Sequence, residues 1–260
     1  MNETEQSEIL SDQSDRICTI RINRPGKKNA LTNAMYTALG DAVLTAAEDR
    51  EVRVIVLAGH AEIFSSGNDL QDFLKHPPVG EDAPVWRFLK ALINNPKPVV
   101  AAVNGIAIGV GTTMLLHCDF VIAGDNAVFQ MPFVNIGVCP EAGSSMLFPQ
   151  LLGHRQAAEL LMLGERFDGV RAVEFGLVNR VVAADETEAV ARELALRLVA
   201  QPPEALRTTK RLMKQGQREA IAAIMQLESD AFVSMLAGGE AREAMTAFVE
   251  KRRPDFSSFD

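Results

Sequence analysis

Hydrophobic and polar positions change rhythm repeatedly along the first two thirds of the chain. ICTIRI (17–22) alternates with the two-residue period of a strand, and LTNAMYTALGDAVLTAAEDR (31–50) places apolar residues at helical spacing behind Thr32, a candidate N-cap. VRVIVLAG (53–59) is an unbroken β-rich run that suits a strand buried on both faces. After a loop holding FSSGNDL (64–70), a helix is expected within 83–94, and PKPVVAAVNG (96–105) supplies another buried strand. IAIGVGTTMLLHC then turns into a helix, DFVIAG (119–124) reads as a strand, and VFQM (128–131) is expected to pair near it. From Glu141 onward helices dominate, interrupted by VNRVV (178–182), with QPP (201–203) and GG (238–239) as breaks between later helices.

This alternation describes an α/β fold with a helical last third. The change in pattern divides the chain into a polar, acidic N-terminal tail (1–15), an α/β core (16–183) and a helical extension (184–260). PVVAAVNGIAIGVGTTMLL (98–116) carries no charge over a length that could cross a bilayer, but Asn104 and its glycines divide it into strand, turn and helix start, so it is read as buried core.

Composition narrows the function. With 260 residues, 47% hydrophobic and 23% charged, the chain can bury a large core. A net charge of -8 argues against a nucleic-acid surface, which requires clustered cations. Cys18, Cys118 and Cys139 form no CxxC pair, which points to a reducing cytoplasm. His60, His76, His117 and His154 show no metal-ligand spacing, so no metal is expected.

Two loops and one acid carry the candidate chemistry. Gly67 in SSGNDL permits a turn after a strand, and Asp69 is placed to cap a helix starting at Leu70. Gly105, Gly109 and Gly111 open a second helix whose first amides have no partner inside it. If the two loops converge, their amides can hold an oxyanion; taken singly, each reads as a plain turn at a strand end. GVGTTM is a poor dinucleotide fingerprint because Met114 replaces the third glycine, and Ser144 and Ser145 lack the GxSxG setting that would pair them with His154. Glu141 stands alone among apolar and small residues in FQMPFVNIGVCPEAGSS (129–145). It is read either as a helix-start carboxylate after Pro140, favoured by the helix dipole, or as a catalytic acid.

FSSGNDL, the run KPVVAAVNGIAIGVGTTMLLHCDFVIAGDNAVFQMP and AFVEKRRPDF together resemble the crotonase, or enoyl-CoA hydratase/isomerase, superfamily over residues 16–256. The resemblance implies a crotonase-like spiral of repeated ββα units with a C-terminal helical trimerisation region, assembling as a homotrimer or dimer of trimers. It also implies an acyl-CoA thioester as substrate, with coenzyme A part of that substrate and no separate cofactor. The thioester oxygen would be held by the amides of Ser66 and Val110, with Asn68, Asp69, Leu70, Gly109 and Phe133 around it. Many relatives carry glycine at the place of Val110, which valine can take unless positive φ is demanded.

Family hydratases use two glutamates, at positions where this chain has Thr113 and Phe133. SSGNDL and PFVNIGVCPEAGSSMLFPQLLG are more similar to Δ3,Δ2-enoyl-CoA isomerases of the peroxisomal type, whose catalytic glutamate corresponds to Glu141. Apolar surroundings raise its basicity while the helix start restrains the shift, leaving it charged but reactive. By the same resemblance, Phe248, Lys251 and Phe232 lie near the adenine of a neighbouring subunit's CoA, and Lys27 and Lys28 meet its phosphates. Phe73, Leu74, Trp86 and Leu89 would form the acyl-tail pocket. The chain shows neither an acyl-CoA-binding domain nor a peroxisomal C-terminal tripeptide, which favours a cytoplasmic form.

Overall fold

The computed structural model describes residues 7–60, 62–80 and 82–259, except the side chains of Phe248 and Val249. Strand β1 (Ile9–Ser14) forms a hairpin with β2 (Ile17–Ile22), pairing Ile9 with Ile22 and Ser14 with Ile17. The expected N-terminal tail is therefore ordered from Ile9 onward. Only Ile9 of that strand is buried, so its outer-edge position leaves almost no apolar pattern to read.

Helix α1 (Asn33–Glu48) begins where Thr32 accepts from the Met35 amide, as the sequence suggests. Next come β3 (Val54–Ala58), buried at every residue, and β4 (Ile63–Ser65). They lead to α2 (Leu70–Lys75), capped by Asp69, and to α3 (Pro84–Asn94), started by a proline at its first turn. The pattern repeats with β5 (Val99–Val103), β6 (Ile106–Ile108) and the short α4 (Val110–Thr113). A third round gives β7 (Phe120–Gly124), β8 (Val128–Gln130), α5 (Ser144–Leu152) and α6 (His154–Ala158). After β9 (Phe167–Asp168), α7 (Gly169–Glu174) and β10 (Arg180–Val182), the chain ends in α8 (Thr187–Val199), α9 (Pro203–Gln215), α10 (Arg218–Leu236) and α11 (Gly239–Val249).

Two sheets result. One runs β1-β2-β3-β5-β7-β10 and is parallel apart from the β1–β2 hairpin; the other runs β4-β6-β8-β9. Strands β3, β5 and β7 of the first sheet thus each hand the chain to a short strand of the second, β4, β6 and β8, which ends at a loop. VFQM pairs with β6 and β9 rather than with β7, because the turn after Gly124 carries it into the second sheet. The uncharged run 98–116 holds the expected strand, β5, and helix start, α4, but with a second strand, β6, where only a turn was expected; among the described residues no single helix is long and apolar enough to cross a membrane.

The C-terminal helices are not an appendage. Ala191 and Ala195 of α8 pack on Val54, Val56, Val100 and Ile122, covering the sheet face opposite the main core. Lys210 of α9 donates to the Lys97 carbonyl and Asp119 carboxylate, both at 2.6 Å, tying that helix to the start of β5.

Candidate functional site

The ends of β4 and β6 lie side by side, with Ile63 opposite Ile106 and Ser65 opposite Ala107. Just past them the two glycine-bearing loops press backbone against backbone. A Cβ on Gly67 would lie 2.8 Å from the Ile108 carbonyl oxygen, and one on Gly111 would lie 2.8 Å from that of Ser65. Only glycine permits this approach. Positive φ falls on Gly67 (88°) and Gly109 (57°), so Val110 has ordinary helical backbone and its side chain is no obstacle. At the first position of α4, the Val110 N–H has no acceptor among the described hydrogen bonds.

The partner donor is not the one expected. The Ser66 N–H donates to the Lys28 carbonyl at 3.0 Å, and the Gly67 N–H to Ser65 Oγ at 3.1 Å, so neither is available to a ligand. Lys28 has a left-handed backbone (φ 52°), which turns its carbonyl toward Ser66. Leu31 donates to the Gly67 carbonyl at 2.8 Å and accepts from the Asp69 amide at 2.9 Å. In such a parallel bridge the residue between, Asn68, points its own N–H and C=O the other way. The Asn68 amide has no acceptor among the described residues, so it, rather than that of Ser66, is the first-loop amide left open to a ligand.

Several unanticipated residues fix this loop. Asn29 is fully buried; its side-chain NH2 reaches the carbonyls of Ile22, Ile63 and Phe64, and its Oδ1 accepts from the Arg24 amide. Arg24 also reaches Asp69 at 2.8 Å. Burial opposes ionisation of Asp69, but Arg24 and the Gln71 and Asp72 amides hold its carboxyl below the usual range, so Asp69 is a helix cap within the protein. Tyr36, buried in α1, donates its hydroxyl to Asn68 Oδ1 at 2.5 Å.

Glu141 is 3% exposed and accepts from the Thr113 hydroxyl, one turn beyond Val110 on α4. It does not begin a helix as the position after Pro140 suggested. Ala142 (φ 59°) and Gly143 (φ 73°) form a left-handed step, and α5 starts at Ser144. The amides at that helix start are occupied by another buried acid, Glu228 of α10, which accepts from Gly143 N at 2.6 Å and Ser145 N at 2.9 Å. Burial pushes the Glu141 carboxyl up to about 8, the Thr113 hydrogen bond opposes this, and the Glu228 charge adds to it. The expected restraint by a helix start is absent, and the free acid holds its proton at neutral pH.

His117 is buried with Nε2 2.8 Å from the Ala142 carbonyl, which requires Nε2 to carry the hydrogen. Burial lowers its pKa to about 4, so it supports the step as a neutral donor. Phe133 is buried and apolar, and its carbonyl accepts from Ile136 and Val138. Ser145 gives its hydroxyl to Glu228, while His154 is exposed at the head of α6, so no serine–histidine pair forms.

The outlying expectations fare unevenly. Leu70 is half-buried at the start of α2. Lys27, Lys28 and Lys251 are exposed, the first two on the turn that buttresses the Asn68 loop. Phe248 lies outside the residues whose side chains are described. Phe232 is buried in its own chain, edge-on to Phe73 at 5.9 Å between ring centroids, rather than facing outward. Trp86 lines a cavity of about 320 Å³ with Ile93, Ile221 and Met225. Leu89 is instead fully buried core and Leu74 is half exposed, so neither joins that wall.

A family model described as Enoyl-CoA hydratase/isomerase matches residues 12–258. The chain is 33% identical to 2,3-dehydroadipyl-CoA hydratase of Escherichia coli K12, over 96% of this chain and 98% of that protein. It is 35% identical to human Enoyl-CoA delta isomerase 2 over 94% of this chain, spanning 64% of that longer protein. Among solved structures, that of Pseudomonas aeruginosa OdaA superimposes with a TM-score of 0.92 at 46% identity, covering 94% of this chain and 99% of the other.

Proposed function

Because the chain belongs to the enoyl-CoA hydratase/isomerase family, we propose that it is a Δ3,Δ2-enoyl-CoA isomerase with Glu141 as its single base and the amides of Asn68 and Val110 as its oxyanion donors. The observation that carries this reading is the side-chain set around α4. The two positions where family hydratases place glutamates hold Thr113 and Phe133, and Thr113 is bound to Glu141. Adding water needs one group to deprotonate it and another to protonate carbon. Shifting a double bond needs only one.

In the proposed reaction, ionised Glu141 removes a proton from C2 of a 3-enoyl thioester. The C–H electron pair moves toward the carbonyl, giving a dienolate whose negative charge collects on the thioester oxygen. The Asn68 and Val110 amides bind that oxygen most strongly as its charge grows, which lowers the barrier rather than merely holding substrate. Glu141 then returns the proton to C4, leaving a conjugated C2–C3 double bond. A carboxyl that titrates near 8 is a stronger base than an ordinary glutamate, which helps the first half, and its acid form remains far more acidic than the C4–H bond it makes, which lets the second half proceed. The cavity beside Trp86, one wall of which is α10, is assigned to the acyl tail, and the trimer implied by the family is part of the same reading.

Purified protein incubated with a 3-enoyl-CoA should form conjugated 2-enoyl-CoA, and Glu141→Gln should bind the thioester while losing turnover by at least a thousandfold. Equal turnover in both proteins would remove Glu141 from the mechanism. Efficient hydration of 2-enoyl-CoA by the wild type would instead favour the hydratase reading.

A further inference from the structure

Helix α10 presents Ile221, Met225, Glu228 and Phe232 as its buried residues, so an acid stands in an otherwise apolar row. Glu228 is 5% exposed, yet it pairs with no cation among the described residues. Its whole hydrogen-bonding capacity is turned on the segment just after Glu141: one oxygen accepts from Gly143 N, and the other accepts from Ser145 N and Ser145 Oγ, the latter at 2.5 Å. Gly143 has no side chain with which to cap α5, and a capping oxygen is instead supplied from a helix more than eighty residues away in sequence. Burial raises the Glu228 carboxyl above the usual range, while the Ser145 hydroxyl and the Ser145 and Gly143 amides, at a helix start whose dipole favours negative charge, oppose that shift.

We propose that Glu228 is a positioning residue for Glu141, acting as a remote cap that locks the left-handed step at Ala142 and Gly143 and, when ionised, sets a negative charge behind the base. This rests on the reading of Glu141 as the base.

Two geometric facts carry the proposal. First, the chain between Glu141 and Ser145 contains a left-handed non-glycine residue, Ala142 at φ 59°, which an alanine adopts only when its surroundings hold it there. His117 holds the Ala142 carbonyl from one side, and Glu228 holds the Gly143 and Ser145 amides from the other. Without the second grip the step is free to relax, and the Glu141 side chain turns with it. Second, among the described groups facing Glu141, Glu228 is the one whose charge acts on it. Thr113 on α4 is a neutral donor, Tyr36 on α1 stays protonated because burial and Glu141 itself both raise it, and His117 is neutral above about 4. Cys139, whose thiol reaches the Glu228 carbonyl at 3.5 Å, is also raised by burial and stays neutral. Like charge disfavours ionisation of the base, so it strengthens the base once ionised.

The two functions separate by substitution. Glu228→Gln removes the charge and replaces one acceptor oxygen with a donor that opposes an amide N–H. The expected result is a kcat lower by roughly tenfold to a hundredfold with KM within about threefold, and an acid limb of kcat/KM moved down by about one pH unit. Glu228→Asp keeps the charge but falls one methylene short. It should lower kcat while leaving the limb at its wild-type position. Thermal unfolding of each variant gives the folded fraction to which rates are referred. If Glu228→Gln does not fold, Ser145→Ala decides, because it removes one of the three bonds and should lower kcat by roughly threefold to tenfold at unchanged KM. Wild-type kcat and an unmoved limb in Glu228→Gln, or wild-type kcat in Ser145→Ala, overturns the proposal. Glu141→Gln is run beside them: if it stays active, the base assignment fails, whereas if it is inactive and the Glu228 variants are normal, only the positioning role fails.

Discussion

Thr113 and Glu141 meet side chain to side chain, the hydroxyl donating to the carboxylate one helical turn beyond the Val110 amide. This contact favours the ionised acid in a setting where burial and Glu228 favour the neutral one. Thr113→Val keeps the shape and removes the donor. The acid limb of kcat/KM, expected near pH 8 in the wild type, should move up by about one unit. Activity at pH 7 should fall about tenfold while the alkaline plateau survives. A pH–rate profile of both proteins checks this; a limb that stays in place would show that the hydroxyl does not tune the base.

The same shift has a consequence for stability. Glu141 titrates near 8 when folded and near 4.5 when exposed, so the folded state binds the proton more tightly. Its contribution is fully present below about pH 4.5 and is lost progressively as pH rises to about 8. Glu141→Gln abolishes that loss. Urea unfolding should find the two proteins about equal near pH 4.5 and the variant more stable by a few kcal/mol at pH 8 and above. Parallel stability curves would contradict the assigned burial.

Gly111 tests whether the convergence of the two loops matters. Gly111→Ala places a methyl 2.8 Å from the Ser65 carbonyl oxygen, a backbone atom that cannot swing aside. The expected cost is about 1–3 kcal/mol of stability, with kcat reduced at least tenfold because the Asn68 and Val110 donors are forced apart. Gly26→Ala meets nothing within 4 Å and serves as the control. Both effects are read by thermal unfolding and turnover.

Tyr36 holds Asn68 by its side chain and so orients the neighbouring peptide. Tyr36→Phe should cost about 1 kcal/mol of stability and lower kcat by several-fold to tenfold with little change in KM. The acid limb should stay in place, because the phenol is neutral at working pH. A rise in KM with unchanged kcat would mean that Tyr36 serves binding rather than the transition state.

Much of the fold was legible where local chemistry and burial agree. Thr32 caps α1, the unbroken run at Val54–Ala58 is buried on both faces, and Asp69 caps α2. The glycine loops could be seen as candidates, but their meeting depends on β4 lying beside β6, which no local pattern states. Ser66 and Asn68 could not be ranked as donors from sequence, since the choice follows from the left-handed turn at Lys28 that spends the Ser66 amide. Pro140 suggested a helix start that the Ala142–Gly143 step postpones. Glu228 did leave a signal, an acid in register with Ile221, Met225 and Phe232, although its target on α5 lies far off in sequence.

The succession of strand pairs separates two jobs. In the proposed reaction the segments after β4 and β6 supply the grip on the carbonyl through peptide groups, whereas the segment after β8, together with Thr113, handles the proton through side chains. Main-chain donors are indifferent to most substitutions; acids are not. On that reading, altered chemistry on this scaffold starts in the return stretch from Met131 to Ser145, which carries the acid, rather than in the peptide donors of the other two loops.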